Sequence, residues 1–432
     1  MLSKIIHSSI SVKLSIVVMG LGQLVNRQWI KGMLYLGTFI AMIVFMVSQG
    51  FSNIGMMKSL GTVEGDPWLG IKGDDSIMIL LKGLLTIIIV IGFIMVYISN
   101  VADILNAEKI KVKNEKLPSF YKAFIQYTDK RFYKIALFLP ILGVLVFNVI
   151  PILFMILIAF TNYGGDVVPP KLVDWVGLEN FKKILAIGEL KTTFFKILGW
   201  NFVWAFFATF INYTGGLMLA LLLNKKCVRK KAFWRAFPIM AYAVPGFITL
   251  LAFKFMFSYG GPINYYITSA GMDAIGFLDM DAGMKAKLIG LFVNAWISIP
   301  TSMLLATGIL SNMNNDLYEA ASIDGAGKVA QFFKITLPFV VFSTTPVLIT
   351  SFIGNFNNFG VFYFLRGGLY MDGYFLASDT DLLINWLYNL SIDNNYYGIG
   401  AAFSLIIFII TSIISLQVYV KSDAFRKEDT YR

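Results

Sequence analysis

Two stripes of neutral polar side chains interrupt otherwise apolar stretches of this 432-residue sequence. Asn355 and Asn358 stand three apart, with Ser351 one turn before Asn355, so a helix would place all three on one face. Asn294, Ser298 and Thr301 make a similar stripe in an earlier stretch. An amide both donates and accepts hydrogen bonds, which suits a ligand rich in hydroxyls. The bland alternative is that these amides only join helices, at about 0.6 kcal/mol for each interhelical bond. Catalytic chemistry finds little support. Ala326-Gly327-Lys328 superficially resembles a phosphate loop, but Ser322 stands where the first Gly belongs and Val329 replaces the Ser or Thr. There is no evident nucleophile–base pair, and the single His7 and single Cys227 build neither a metal site nor a disulfide framework. The chain is expected to be no enzyme, with no ATP site of its own.

The elements that must carry these stripes are membrane spans. Hydrophobic residues make up 57% of the chain and charged residues 14%, with a mean hydropathy of +0.71. A soluble domain of this length needs more charge to cover its surface. A span takes roughly 20 apolar residues, and eight stretches qualify: 29–49, 76–99, 133–160, 195–223, 237–257, 286–310, 337–358 and 398–420. The expected fold is therefore an all-α polytopic membrane protein. The N-terminal apolar stretch has no small-residue cleavage site, and Lys13 and Arg27 flank it, so no signal peptide is expected. Segment 12–25, weakened by Gly20 and Gly22, is too short to cross and reads as interfacial or re-entrant.

A net charge of +11 invites a nucleic-acid reading, but its distribution argues for topology instead. Basic residues gather at Lys4, Lys13, Arg27 and Lys31, between 109 and 131, in Lys225-Lys226-Cys227-Val228-Arg229-Lys230-Lys231, and at Lys421, Arg426, Lys427 and Arg432. The intervening loops carry Asp66, Asp74, Asp75, Asp372, Asp379, Asp381 and Asp393. This alternation is the positive-inside pattern, which places both termini in the cytoplasm. The eight stretches contain no Asp or Glu, which disfavours a cation-coupled carrier. Lys82, Lys254 and Lys287 fall near span ends and are expected to snorkel to the interface.

One cytoplasmic loop has a distinctive design. It runs from Asn315-Asp316 through Glu319-Ala320-Ala321 and Asp324-Gly325-Ala326 to Leu337-Pro338. Asp316 can cap a helix with Glu319 three residues on, as in a capping box. Ala320 and Ala321 keep that helix small enough for another surface to approach. Gly325 can end it in a left-handed conformation. In order and spacing this loop resembles the EAA loop of binding-protein-dependent ABC import permeases. Asn212-Tyr213-Thr214-Gly215-Gly216, Phe237-Pro238, Val244-Pro245-Gly246, Tyr259-Gly260-Gly261-Pro262 and Ser351 to Phe359 are similar to MalF-like maltose permease subunits. The resemblance covers about 130–425 and departs at 161–194, which is too short for the large outward domain that some members carry there.

That resemblance implies a bacterial, multi-pass permease of the cell membrane with a two-helix N-terminal hairpin and a six-helix core. The corresponding boundaries are an N-terminal segment 1–28, the hairpin and basic linker 29–132, the permease core 133–420 with its coupling loop 314–338, and a tail 421–432. It implies that Glu319, Ala320, Ala321, Asp324 and Gly325 couple to an ATPase. It adds Ile297 and Gly354 to Asn294, Ser298, Thr301, Ser351, Asn355 and Asn358 as sugar-contacting positions, with Thr301 and Gly354 standing where the family pattern has bulky aromatics. The implied partners are a second homologous permease, two ABC ATPase subunits that hold ATP and Mg, an extracellular sugar-binding protein, a sugar such as maltose or maltodextrin, and the lipid bilayer, but no nucleic acid. The chain itself would bind no cofactor.

Overall fold

The computed structural model describes residues 9–421 except Pro67, Ile187 and Lys226. Lys4, His7, Lys226, Arg426, Lys427, Arg432 and nearly all of the expected tail 421–432 lie outside the described residues. Those described form helices and no named strand, with three isolated β-bridges in loops. Seven helices are long and apolar enough to cross a membrane, and a bent pair makes an eighth candidate. The chain divides into two compact units, Met1–Asn180 and Phe181–Arg432, so the third candidate span groups with the hairpin before it.

In the first unit, segment 12–25 folds as two short helices, α1 (Ile10–Val17) and α2 (Leu21–Val25). Gly20 makes the turn between them at φ +90, and any side chain there would strike the backbone of Gly32. The pair packs on α4 (Ser76–Val112), which follows α3 (Trp29–Ser59). Buried polar groups fasten it: Ser15 Oγ donates to Gln23 Oε1 at 2.9 Å, and Gln23 Nε2 donates to Asn100 Oδ1 at 3.0 Å. Buried amides are tolerated when each finds a partner, and these do. Asp75 caps α4 by accepting from the Ile77 and Met78 N–H groups at 3.1 and 3.0 Å. Helix α5 (Phe132–Ile158) completes the spans of this unit.

The second unit holds α6 (Gly188–Asn224), the broken pair α7 (Lys231–Ala243) and α8 (Gly246–Met256), α9 (Gly283–Ser311), the loop helix α10 (Asn315–Ile323), α11 (Leu337–Phe356), α12 (Gly360–Arg366) and α13 (Tyr397–Lys421). The stretch 237–257, expected as one span, instead bends by 87° between α7 and α8. Pro245 lacks an N–H and forces Val244 out of helical geometry, to φ −80 and ψ 131. Helices α6 and α9 pack against each other over most of their length. Gly216 makes this close approach possible, because a Cβ there would overlap Ser302. Small residues let helix backbones approach where lipid supplies no hydrophobic drive. Trp204 of α6 and Phe362 of α12, both fully buried, meet edge to face at 4.9 Å and anchor this core.

Candidate functional site

All eight positions expected to contact substrate border one cavity of about 380 Å³ in the second unit. Asn294, Ile297, Ser298 and Thr301 come from α9, and Ser351, Gly354 and Asn355 from α11. The expectation that Asn358 shares a helical face with Asn355 is wrong. Helix α11 ends at Phe356, Asn357 leaves it at φ −100 and ψ 27, and Asn358 lies in the break before α12. Its Oδ1 accepts from the Val361 N–H at 3.2 Å, holding the first turn of α12. The break itself carries the side chain to the cavity.

Three amides are joined in a chain across these elements. Asn358 Nδ2 donates to Asn294 Oδ1 at 3.3 Å, Asn294 Nδ2 donates to Asn355 Oδ1 at 3.4 Å, and Asn355 Nδ2 donates to Thr209 Oγ1 at 3.0 Å. Below them, Trp204 Nε1 donates to the Asn355 carbonyl at 3.0 Å, and Asn201 Nδ2 donates to the Phe356 carbonyl at 3.0 Å. These indole and amide bonds reach the last carbonyls of α11, where the helical ladder ends and the Asn358 N–H also donates to the Asn355 carbonyl at 3.2 Å. The amides therefore join helices and border the cavity at once. Each amide oxygen has a second lone pair, so accepting a bond from a neighbour leaves capacity for a ligand.

The walls also contain residues that the sequence reading did not single out for this role: Thr209, Asn212 and Tyr213 on α6, Tyr242 near the α7–α8 bend, and Thr344 on α11. Thr209 and Asn212 stand three apart in an apolar span, the same signal that marked the other stripes. No Asp, Glu, Lys or Arg lines the cavity among the described residues. The lining suits a neutral, hydroxyl-bearing ligand.

Arg366, at the end of α12 and 2% exposed, also escaped the sequence reading. All five of its N–H groups are engaged. It donates to the carbonyls of Leu278, Asp279 and Met280, to Asp379 Oδ1 at 2.9 Å and to Thr380 Oγ1 at 3.0 Å. It clamps two loops together and has no donor left for an anionic ligand. Lys287 does not simply reach toward solvent. Its Nζ lies over the Trp200 ring at 4.5 Å and 3.9 Å from Asp379. In the same loop the Asp381 carboxyl is pushed up to about 6 by burial. It accepts from the Ser378 N–H at 2.8 Å and from Asn389 Nδ2 at 3.4 Å.

The coupling loop forms a helical hairpin with one correction. Asn314, not Asp316, caps α10, its side chain accepting from the Asp316 N–H at 3.0 Å. The chain is still extended at Asn314, so the helix begins earlier than expected and Asp316 falls in its first turn, where a negative charge is favourable. Gly325 ends the helix at φ +78, as its sequence position implied. The hairpin is closed by Tyr318 Oη and Thr336 Oγ1 at 2.8 Å and by Gln331 Nε2 donating to the Ala326 carbonyl at 3.1 Å. Glu319, Ala320, Asp324 and Gly325 are exposed, Ala321 is half-buried, and Ile323 is 86% exposed. Ala326-Gly327-Lys328, which follows α10, occupies the turn of this hairpin.

The long apolar helices, the polar cavity among them and the exposed helical hairpin define a polytopic transport subunit. The chain belongs to the family of binding-protein-dependent transport system inner membrane components, whose pattern matches residues 212–423. It is 34% identical over 429 residues to the galactooligosaccharides transport system permease protein GanP of Bacillus subtilis (strain 168), covering 98% of this chain and 99% of that protein. It is 32% identical over 424 residues to the maltodextrin transport system permease protein MdxF of the same organism, covering 96% of this chain and 95% of that protein. The maltose/maltodextrin permease protein MalF of Escherichia coli (strain K12) is 33% identical over 262 residues, which make up 59% of this chain and 50% of that one. A chain of a bacterial ABC transporter that imports alginate has the same fold over 69% of this chain and 98% of its own, with a TM-score of 0.56 and 20% identity.

Proposed function

We propose that this chain is a permease subunit of an ATP-driven, binding-protein-dependent importer of neutral oligosaccharides, with maltodextrin as its substrate. The observation that carries this reading is the cavity: eight positions chosen from sequence and family resemblance converge on one space lined by amides and hydroxyls and free of ionised groups among the described residues. In this reading a second homologous permease completes the path, and an extracellular binding protein delivers the sugar. Two ABC ATPase subunits hold ATP and Mg and dock on α10, while this chain binds no cofactor. Closure of the ATPases moves the α10 hairpin and switches the cavity from inward-facing to outward-facing, and hydrolysis resets it. This is alternating access by rigid-body motion. Both termini face the cytoplasm of a bacterial cell.

The 34% identity to a galactooligosaccharide permease favours a second reading, in which the same cavity takes galactooligosaccharides. Transport assays on the assembled complex decide between the two. Maltodextrins and galactooligosaccharides are offered separately, each with the cognate binding protein, and sugar-stimulated ATP hydrolysis is measured. Stimulation by maltodextrin alone supports the first reading and stimulation by galactooligosaccharide alone the second. Uptake driven by an imposed ion gradient without the ATPases overturns both.

A further inference from the structure

The cavity has two ends of different character. At one end the amides of Asn294, Asn355 and Asn358 are bonded to one another. The other end lies toward the coupling loop. Thr344 stands there, eleven residues before Asn355 on α11, roughly 16 Å at the helical rise. Asn212 and Tyr213 of α6 border the same space. Thr344 Oγ1 donates to the Val340 carbonyl at 2.7 Å, so its one proton is committed. Tyr213 Oη, 2.7 Å from Thr344 Oγ1, must therefore be the donor in that pair, which leaves the phenol oxygen free to accept.

Asn212 is the unusual member. It is 6% exposed, and its Oδ1 is buried with no hydrogen-bond partner. Buried polar atoms are almost always paired, so an orphan on a cavity wall demands an explanation. A residue whose only task was to join helices would be paired, as Asn294 and Asn355 are. An amide that turns about its side chain to meet a ligand hydroxyl accounts for the orphan.

We infer that Asn212, with Tyr213 and Thr344, forms a second, inner sugar subsite that holds a further unit of a neutral oligosaccharide as it leaves toward the cytoplasm. This rests on the reading of the chain as a sugar permease and adds the claim that substrates longer than one or two units are handled by a separate set of groups. The roughly 16 Å between the two ends leaves room for more than one pyranose ring in line.

The test uses the assembled transporter in proteoliposomes with its binding protein at saturation, and maltose and maltopentaose as probes. Transport is expressed per assembled complex. Asn212→Leu, close to the same shape, is expected to lower the maltopentaose rate about tenfold more than the maltose rate, the size of one lost hydrogen bond to a buried group. Complex assembly should hold or improve, because an apolar replacement removes the orphan. Asn212→Ser, which puts a hydroxyl donor and acceptor in place of the amide, should retain part of the selectivity. An unchanged ratio of the two rates in Asn212→Leu, while Asn355→Leu lowers both, overturns the inner subsite and leaves the permease reading standing. A fall in assembly with normal selectivity in the complexes that remain also overturns it. If neither Asn212→Leu nor Asn355→Leu changes transport of either sugar, the cavity is not the sugar path and the inner subsite fails with it, while the permease reading stands.

Discussion

Asn294 on α9 and Asn355 on α11 share an amide–amide hydrogen bond of 3.4 Å inside the cavity wall, and Asn355 continues it to Thr209 on α6 at 3.0 Å. Three helices distant in sequence are thus tied by the same groups that face the cavity. Such a dual role sets what a substitution at Asn355 will do. It removes two interhelical ties, each worth about 0.6 kcal/mol, and one pairing group for substrate.

The second loss is expected to dominate. Asn355→Leu, or Asn358→Leu, should weaken sugar interaction about 5- to 150-fold, since about 1–3 kcal/mol follows from leaving a buried hydroxyl unpaired. Assembly and basal ATP hydrolysis should persist, because α10 lies on a separate loop. Transport per assembled complex across sugar concentrations measures this. Normal half-saturation and turnover in both variants would remove these amides from the binding site.

At the coupling hairpin, Gly325 sits at φ +78, where a side chain costs about 1–2 kcal/mol. Gly325→Val should distort the end of α10, and Glu319→Lys should reverse a charge on its exposed face. Both variants should insert in the membrane normally while uptake collapses. Undiminished sugar-stimulated ATP hydrolysis in either assembled complex would show that the hairpin does not couple.

Topology can be read from the native chain, because Cys227 is its single cysteine and is exposed in the basic loop after α6. The basic alternation predicts that this loop is cytoplasmic. A membrane-impermeant maleimide should label Cys227 in inside-out vesicles and leave it untouched in intact cells. Strong labelling of intact cells would invert the topology.

Asp381 makes folding of its loop depend on pH. Burial raises its pKa from 3.8 to about 6, so the folded state binds this proton more tightly than the unfolded state does. Its contribution to stability is fully present below pH 3.8 and is lost as pH rises through about 6. The difference amounts to roughly 3 kcal/mol. Asp381→Asn keeps the shape and the acceptor for the Ser378 N–H, and should remove this part of the pH dependence. Thermal unfolding of the purified complex between pH 4 and 7.5 checks it. Parallel profiles for wild type and variant would mean that the carboxyl does not titrate there.

The spans were legible in the sequence because crossing a membrane is a local requirement on length and apolarity, and each expected stretch has a matching helix or bent helix pair. The end of α10 at Gly325 was legible for a similar reason, since a left-handed residue after a helix favours glycine wherever it occurs. The membership of the cavity was foreshadowed by neutral polar residues at helical spacing, which have few places to go in an apolar environment. What local pattern could not decide was where the helices stop and what meets across them. Asn358 belongs to a break rather than to the face of α11, because Trp204 and Asn201 of α6 take the carbonyls at that helix end. Arg366 reads as an ordinary basic residue until the loops carrying Leu278, Met280 and Asp379 fold around all its donors. Asn212 reads as one more amide in a span, and only the packing of α6 against α9 and α11 leaves its oxygen without a partner. Hydropathy and chirality act within a few residues of chain, whereas hydrogen-bond satisfaction is settled only when distant segments come together.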